Sequence, residues 1–183
     1  MESVYGRNVP LIVERARELM RRRERPELLF IFAGCGPSII EDDINRAAAI
    51  ISEESEIPVI ALDTAAFLGG FARGAEMIWC AILERFGTDA AERRGINIVG
   101  PQLMGSNNWP NDIVEIRRLL QAADVRVNHV LFHDIAVDQL PEISRANVNY
   151  ILSGEDFSEF EETAEDLGMS IWGQDLVLPV GTH

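Results

Sequence analysis

One thiol stands out among the side chains able to do chemistry. Cys35 sits in Leu28-LFIFAGCGPSIIEDDIN-Arg46, after six apolar residues, Leu28 to Ala33, long enough for a buried strand and too short for a helix. Gly34-Cys35-Gly36-Pro37-Ser38 makes the turn, and a helix is expected to open next, with Glu41, Asp42 and Asp43 in its first turns. Parallel α/β sheets place ligands at the carboxyl ends of their strands. Free N–H groups at a helix start favour a thiolate over a thiol there. Such a sulfur serves as a nucleophile or a metal ligand; on the residues alone, a small, buried, unreactive thiol is the plainer alternative.

The other reactive types are less well placed. Cys80 lies beside Trp79 and Ile82 in an apolar helical stretch and reads as packing. His129 falls within a strand and reads as a core histidine with its hydrogen bonds satisfied. His133-Asp134 follows that strand, where an imidazole oriented by a carboxylate can shuttle protons, although a surface-loop histidine is the commoner case. His183 is terminal. Gly34-Cys35-Gly36 is a fragment of a dinucleotide loop, but GxGxxG fails because position 39 is Ile; only Asp63 offers a following acid. Pro101 to Asn111 is a turn-rich connection, a lid or contact surface if not simply a loop. HExxH, CxxC pairs and a serine nucleophile elbow are absent.

Composition removes further classes. The 183 residues carry 30 acids against 16 basic residues, a net charge of −14, which disfavours nucleic acid and anionic membrane surfaces. Every basic residue is arginine. Without lysine there is neither a Walker A loop nor a pyridoxal Schiff base. Arg21, Arg22, Arg23 and Arg25 form a basic cluster, read as the solvated end of a helix or as a docking patch. Two cysteines and no secretory apolar region suggest a reducing, cytoplasmic setting, and no apolar run approaches membrane-spanning length.

The elements that must position Cys35 follow from periodicity. Helices are expected over about 10–23, 38–54, 71–86, 112–122 and 157–167, with a short helical piece at 137–145. Ile39, Ile40, Ile44, Ala47, Ala48 and Ile51 would make the inner face of the second. Strands are expected at 28–33, 58–62, 96–100, 126–132, 148–152 and 169–172, with an exit segment at 176–180. This alternation predicts an α/β protein with layered parallel sheets in two Rossmann-like lobes, residues 1–90 and 91–183, separated by the polar stretch 87–95.

FIFAGCGPSIIEDDI resembles the segment of nitrogenase component 1 type proteins in which a strand ends in a cluster-ligating cysteine before a paired Asp-Asp. Tyr5-Gly6 and Pro26-Glu27 are similar to that family's approach to the strand. Pro58-VIALDTAA-Phe67 with Gly70, Gly74 and Ala81-Ile-Leu83 resembles its "TPGF…G…G…A" helix. Ile96-NIVG-Pro101 and Asn111-DIVEIRRL-Leu120 look like its "VNIIG…GDLxEIxRLL" unit, and Leu178-Pro-Val-Gly181 its "LPIG". The family includes nitrogenase subunits, cofactor-assembly scaffolds and dark-operative protochlorophyllide reductases.

The resemblance implies a subunit fragment of a two-component oxidoreductase. An ATP-dependent iron–sulfur reductase would deliver electrons to an iron–sulfur cluster held between homologous component 1 subunits. Cys35 would be the metal ligand, with Gly34, Gly36 and Ser153 lining cofactor positions. Ser153-Gly154 stands where catalytic nitrogenase α-subunits carry a cofactor-ligating cysteine, which points away from an iron–molybdenum cofactor. The turn Gly36-Pro37-Ser38 also departs from the family's usual residues after the cysteine. The chain corresponds to a central portion, after the first two cluster cysteines and before a third domain. By itself it is expected to hold no cluster and to turn nothing over. The alternative is a non-catalytic scaffold or metallocofactor-binding module of the same fold.

Overall fold

A computed structural model describes residues 8–101, 107–131, 133 and 135–173. The chain divides into two compact units, Met1–Gly74 and Ala75–His183. The polar stretch 87–95 lies inside the second.

In the first unit, proline in the opening turn starts α1 (Val9–Met20). Strand β1 (Leu29–Ala33) pairs in parallel with β2 (Val59–Asp63), Leu29 opposite Val59 and Ala33 opposite Asp63. Between them run α2 (Cys35–Ile39) and α3 (Ile44–Ser55). The core joins Val9, Val13 and Ala16 of α1 to Ala47 and Ile51 of α3, with Leu29, Ile31 and Val59 packed against it. Strand β1 therefore presents alternate residues to its helices. Phe30 and Phe32 stack with ring centroids 5.6 Å apart, and Phe32 is 51% exposed. The expected fully buried strand is thus buried on one face, because its two-stranded sheet carries one layer of helices.

The single helix expected over 38–54 is interrupted. Helix α2 stops at Ile39, Glu41 takes a left-handed φ of 51°, and Asp43 caps α3 by accepting the Arg46 N–H at 2.9 Å. The acids expected in a helical first turn instead make the break and the cap. Ile39 and Ile40, expected on the inner face, are exposed at 69% and 39%. A short 3-10 turn, Ala66–Leu68, follows β2, and α4 (Phe71–Phe86) begins after Gly70.

The second unit holds a four-stranded, all-parallel sheet. Its strands are β3 (Ile96–Val99), β4 (Val127–Val130), β5 (Val148–Ile151) and β6 (Ser170–Trp172), in the order β4-β3-β5-β6. Helix α5 (Trp109–Ala122) packs on one face, where Ile113 meets Ile98, Val130 and Leu152. An asparagine network crosses the strands. Asn97 Nδ2 donates to Asn149 Oδ1 at 2.8 Å and to the Ile143 carbonyl at 2.9 Å, while Asn128 Nδ2 donates to Asn97 Oδ1 at 3.0 Å. These bonds fasten the 3-10 segment Val137–Arg145 to the sheet. Helix α6 (Ser158–Asp166) lacks its own side-chain cap. The buried Glu76 carboxylate of α4 accepts the N–H groups of Glu159 and Phe160 at 2.9 and 3.1 Å. No helix among the described residues is long and apolar enough to cross a membrane.

Candidate functional site

Cys35 is the first residue of α2, immediately beyond the carboxyl end of β1, and it is exposed. Its position follows from the local sequence. Five β-forming residues end at Ala33, Gly34 turns the chain with extended dihedrals, and α2 opens at the cysteine. With five residues α2 is too short for a substantial macrodipole, so the field expected from a long helix is largely missing. Among the described residues, the sulfur meets one backbone donor, the Ala66 N–H, 3.3 Å from Sγ.

That donor is held in place from both sides. Thr64 donates its N–H to the Ala33 carbonyl at 2.9 Å and its hydroxyl to the same oxygen at 3.2 Å. The Asp63 carboxylate accepts the Ser38 hydroxyl at 2.6 Å and the Ala65 N–H at 3.1 Å. Asp63, the one acid that the sequence offers after the incomplete glycine fingerprint, is engaged in tying the loop after β2 to α2. A Cβ added at Gly34 or Gly36 would meet nothing within 4 Å, so open space adjoins the thiol on both flanks.

Ser153 belongs to the second unit, just past β5. It is 3% exposed, and its Oγ accepts the Glu155 N–H at 3.1 Å, which gives the hydroxyl a local turn-forming role. Gly34, Cys35 and Gly36 are contiguous in the first unit; Ser153 stands with the other.

The remaining candidates separate clearly. Cys80 is buried, and burial pushes its thiol pKa up to about 11, assisted by Glu76, Glu159 and Glu84 and opposed by a Thr163 hydrogen bond. His129 lies in β4, half-buried, its pKa lowered by burial; its Nε2 has no hydrogen-bond partner among the described residues, so the expected core histidine with satisfied bonds is neither fully enclosed nor fully satisfied. His133 packs edge-on against Trp109, centroids 5.4 Å apart, and donates its backbone N–H to the Val130 carbonyl. Asp134, residues 102–106 of the 101–111 loop and the exit segment 176–180 lie outside the described residues. The described residues contain no group of three or more His, Cys, Asp or Glu able to hold a metal ion by themselves.

Comparisons with known proteins bear on the fold and the family. A subunit of the light-independent protochlorophyllide reductase of Pyropia yezoensis is 26% identical over 140 residues, covering 71% of this chain and 27% of that protein. The corresponding protein of Heliobacterium modesticaldum is 28% identical over 160 residues, covering 82% and 30%. The chain thus spans less than a third of these relatives. The solved structure described as nitrogenase Cp1 at pH 5 superposes with a TM-score of 0.69 at 21% identity, covering 89% of this chain and 32% of that one, a likeness of fold. The profile of the nitrogenase component 1 type oxidoreductases matches residues 12–171, and the chain belongs to that family.

Proposed function

We propose that this chain is part of an oxidoreductase subunit in which Cys35 supplies one thiolate to an iron–sulfur cluster shared with groups outside these residues. The observation that carries the reading is the exposed thiol at the carboxyl edge of a parallel strand pair, with an N–H donor at 3.3 Å and open space beside both glycines. The donor set fits a share in a cluster and not a whole one. Such clusters generally take four thiolates, and the described residues of the first unit bring one cysteine.

When bound, a cluster would supply one-electron storage at this edge. The chain's own residues do the positioning. Ala66 donates to the sulfur, which suits an anionic ligand. Asp63, Ser38 and Thr64 keep that donor in register, and the exposed Ile39, Phe67 and Leu68 offer apolar surface for excluding water once covered. The covering group, on this reading, is a homologous component 1 subunit, and the electron donor an ATP-dependent iron–sulfur reductase protein. The enclosed Ser153 hydroxyl supports a branch without a cysteine ligand there, and the similarity to light-independent protochlorophyllide reductase supports a tetrapyrrole-type substrate.

The test is anaerobic purification of the longer protein with its companion subunit, with and without Cys35→Ser. Loss of iron and of visible cluster absorbance in the variant is expected; unchanged iron with unchanged absorbance discards the ligand role. A second reading, a non-catalytic metallocofactor scaffold, draws on the occupied Ser153 and the single exposed thiol. Two further cysteines shortly upstream in the natural gene support the enzyme, and their absence supports the scaffold.

A further inference from the structure

Three arginines far apart in sequence converge in the second unit, at the edge of its sheet opposite to Ser153. The backbone just ahead of the strands brings them together. Arg94 donates its N–H to the Arg145 carbonyl at 2.7 Å, and Ile96 donates to the Arg126 carbonyl at 2.9 Å. Gly95 permits the approach. Its φ is +67°, and a Cβ there would lie 2.3 Å from the Arg126 oxygen. The arginines precede β3, β4 and β5, so the parallel register that aligns the strands also gathers the guanidinium-bearing residues.

They wall an open cleft of about 690 Å³, together with Thr88, Glu92 and Glu142. That volume suits a small molecule. The charges are only partly matched. Glu92 pairs with Arg94 at 2.9 Å and Glu142 approaches Arg145 at 3.6 Å, while Arg126 has no ion-pair partner among the described residues. A guanidinium carries five N–H donors and a carboxylate engages at most a fork of them, so all three arginines retain donor capacity. Arg126 also lines an adjoining cleft of about 420 Å³, with Arg117 and one acid, Asp124. In a chain of net charge −14, such a convergence opposes the overall field.

We propose that this cleft binds a compact polyanion with at least two negative charges, carried on phosphate or carboxylate groups. Two charges follow from the arrangement. One anionic group answers the unpaired Arg126, and a second bridges to Arg94 or Arg145 in competition with its glutamate. The site is independent of Cys35 and of any cluster.

Titration calorimetry on the 183-residue chain tests it, with pyrophosphate as the phosphate probe and citrate as the carboxylate probe. A dissociation constant of about 0.1–1 mM for at least one probe is expected, weakening as salt screens the exposed cations. The tighter probe identifies the ligand chemistry. Arg126→Gln should weaken that probe about tenfold or more, and Glu92→Gln should tighten it several-fold by releasing Arg94. Arg22→Gln, in the separate basic cluster, should leave binding unchanged. Circular dichroism checks folding, and Arg94→Gln replaces Arg126→Gln if the latter fails to fold. Absence of binding by both probes up to about 10 mM overturns the proposal. So does equal affinity in a folded Arg126 or Arg94 variant, or an equal loss on Arg22→Gln.

Discussion

The Ala66 N–H donates to Cys35 Sγ across 3.3 Å, linking the loop that leaves β2 to the first residue after the β1 turn. The sulfur is thereby held at the sheet edge by a neighbouring loop while remaining open to solvent. Cys80 shows the opposite arrangement, enclosed within α4.

The two thiols should therefore differ sharply toward an alkylating agent. With its pKa near 11, Cys80 is about one part in a thousand thiolate at pH 8, and burial shields it further. Peptide mass spectrometry after iodoacetamide treatment should show Cys35 modified about a hundredfold faster or more. Cys80 should gain reactivity as pH rises toward 11. Equal rates in the folded chain would contradict both assignments.

Asn97→Ala should destabilise the second unit by about 2–4 kcal/mol, because it strands the buried Asn149 Oδ1 and the Ile143 carbonyl. Asn128→Ala should cost less, since Asn128 is only partly buried. Urea unfolding followed by tryptophan fluorescence reads this unit selectively, as Trp79, Trp109 and Trp172 all lie within it.

Glu76→Ala removes the acceptor for two N–H groups at the start of α6, with an expected loss of about 1–3 kcal/mol. Glu76→Gln keeps an oxygen there and should recover much of it. Hydrogen exchange at the Glu159 and Phe160 amides is the direct readout. Both should exchange faster in the alanine variant than in the glutamine one.

His129 links stability to pH. Burial, with Arg117 adding to it and Glu142 opposing it, lowers its pKa below the usual 6.5. The unfolded chain therefore binds this proton more readily than the folded one. The contribution is fully present above about pH 6.5 and is lost as pH falls from there through the lower folded-state value. Urea midpoints at about pH 7.5 and about pH 5 should diverge less in His129→Gln than in the parent. Identical divergence counts against the half-buried histidine as a source of acid sensitivity.

The α/β layering was readable because its cause is local. Short apolar runs alternate with helical periodicity, and strands β1 to β6 each fall on a run identified that way. The α2–α3 break was not, because Asp42-Asp43 fits a helical first turn as well as a cap, and only the fold shows Asp43 accepting from Arg46. Ile39 and Ile40 continue the apolar period yet lie exposed, since periodicity reports spacing and not whether a neighbour exists. At the candidate site Cys35 was legible, but the Asp63–Ser38 contact depends on Ala33 and Asp63 lying in register. The asparagine network left a trace that single-residue reading passes over. Ile96-Asn97, Val127-Asn128 and Val148-Asn149 each open a strand with a β-branched residue and an asparagine, and an arginine stands shortly before each pair.

Cluster ligation by Cys35 is tested most directly by thiol protection at that residue. The longer protein, purified anaerobically with its companion subunit, would be alkylated before and after removal of iron by a chelator. Cys35 should resist modification while iron is bound and react fully once it is stripped. Full-rate alkylation of Cys35 with the iron content undiminished would contradict the account.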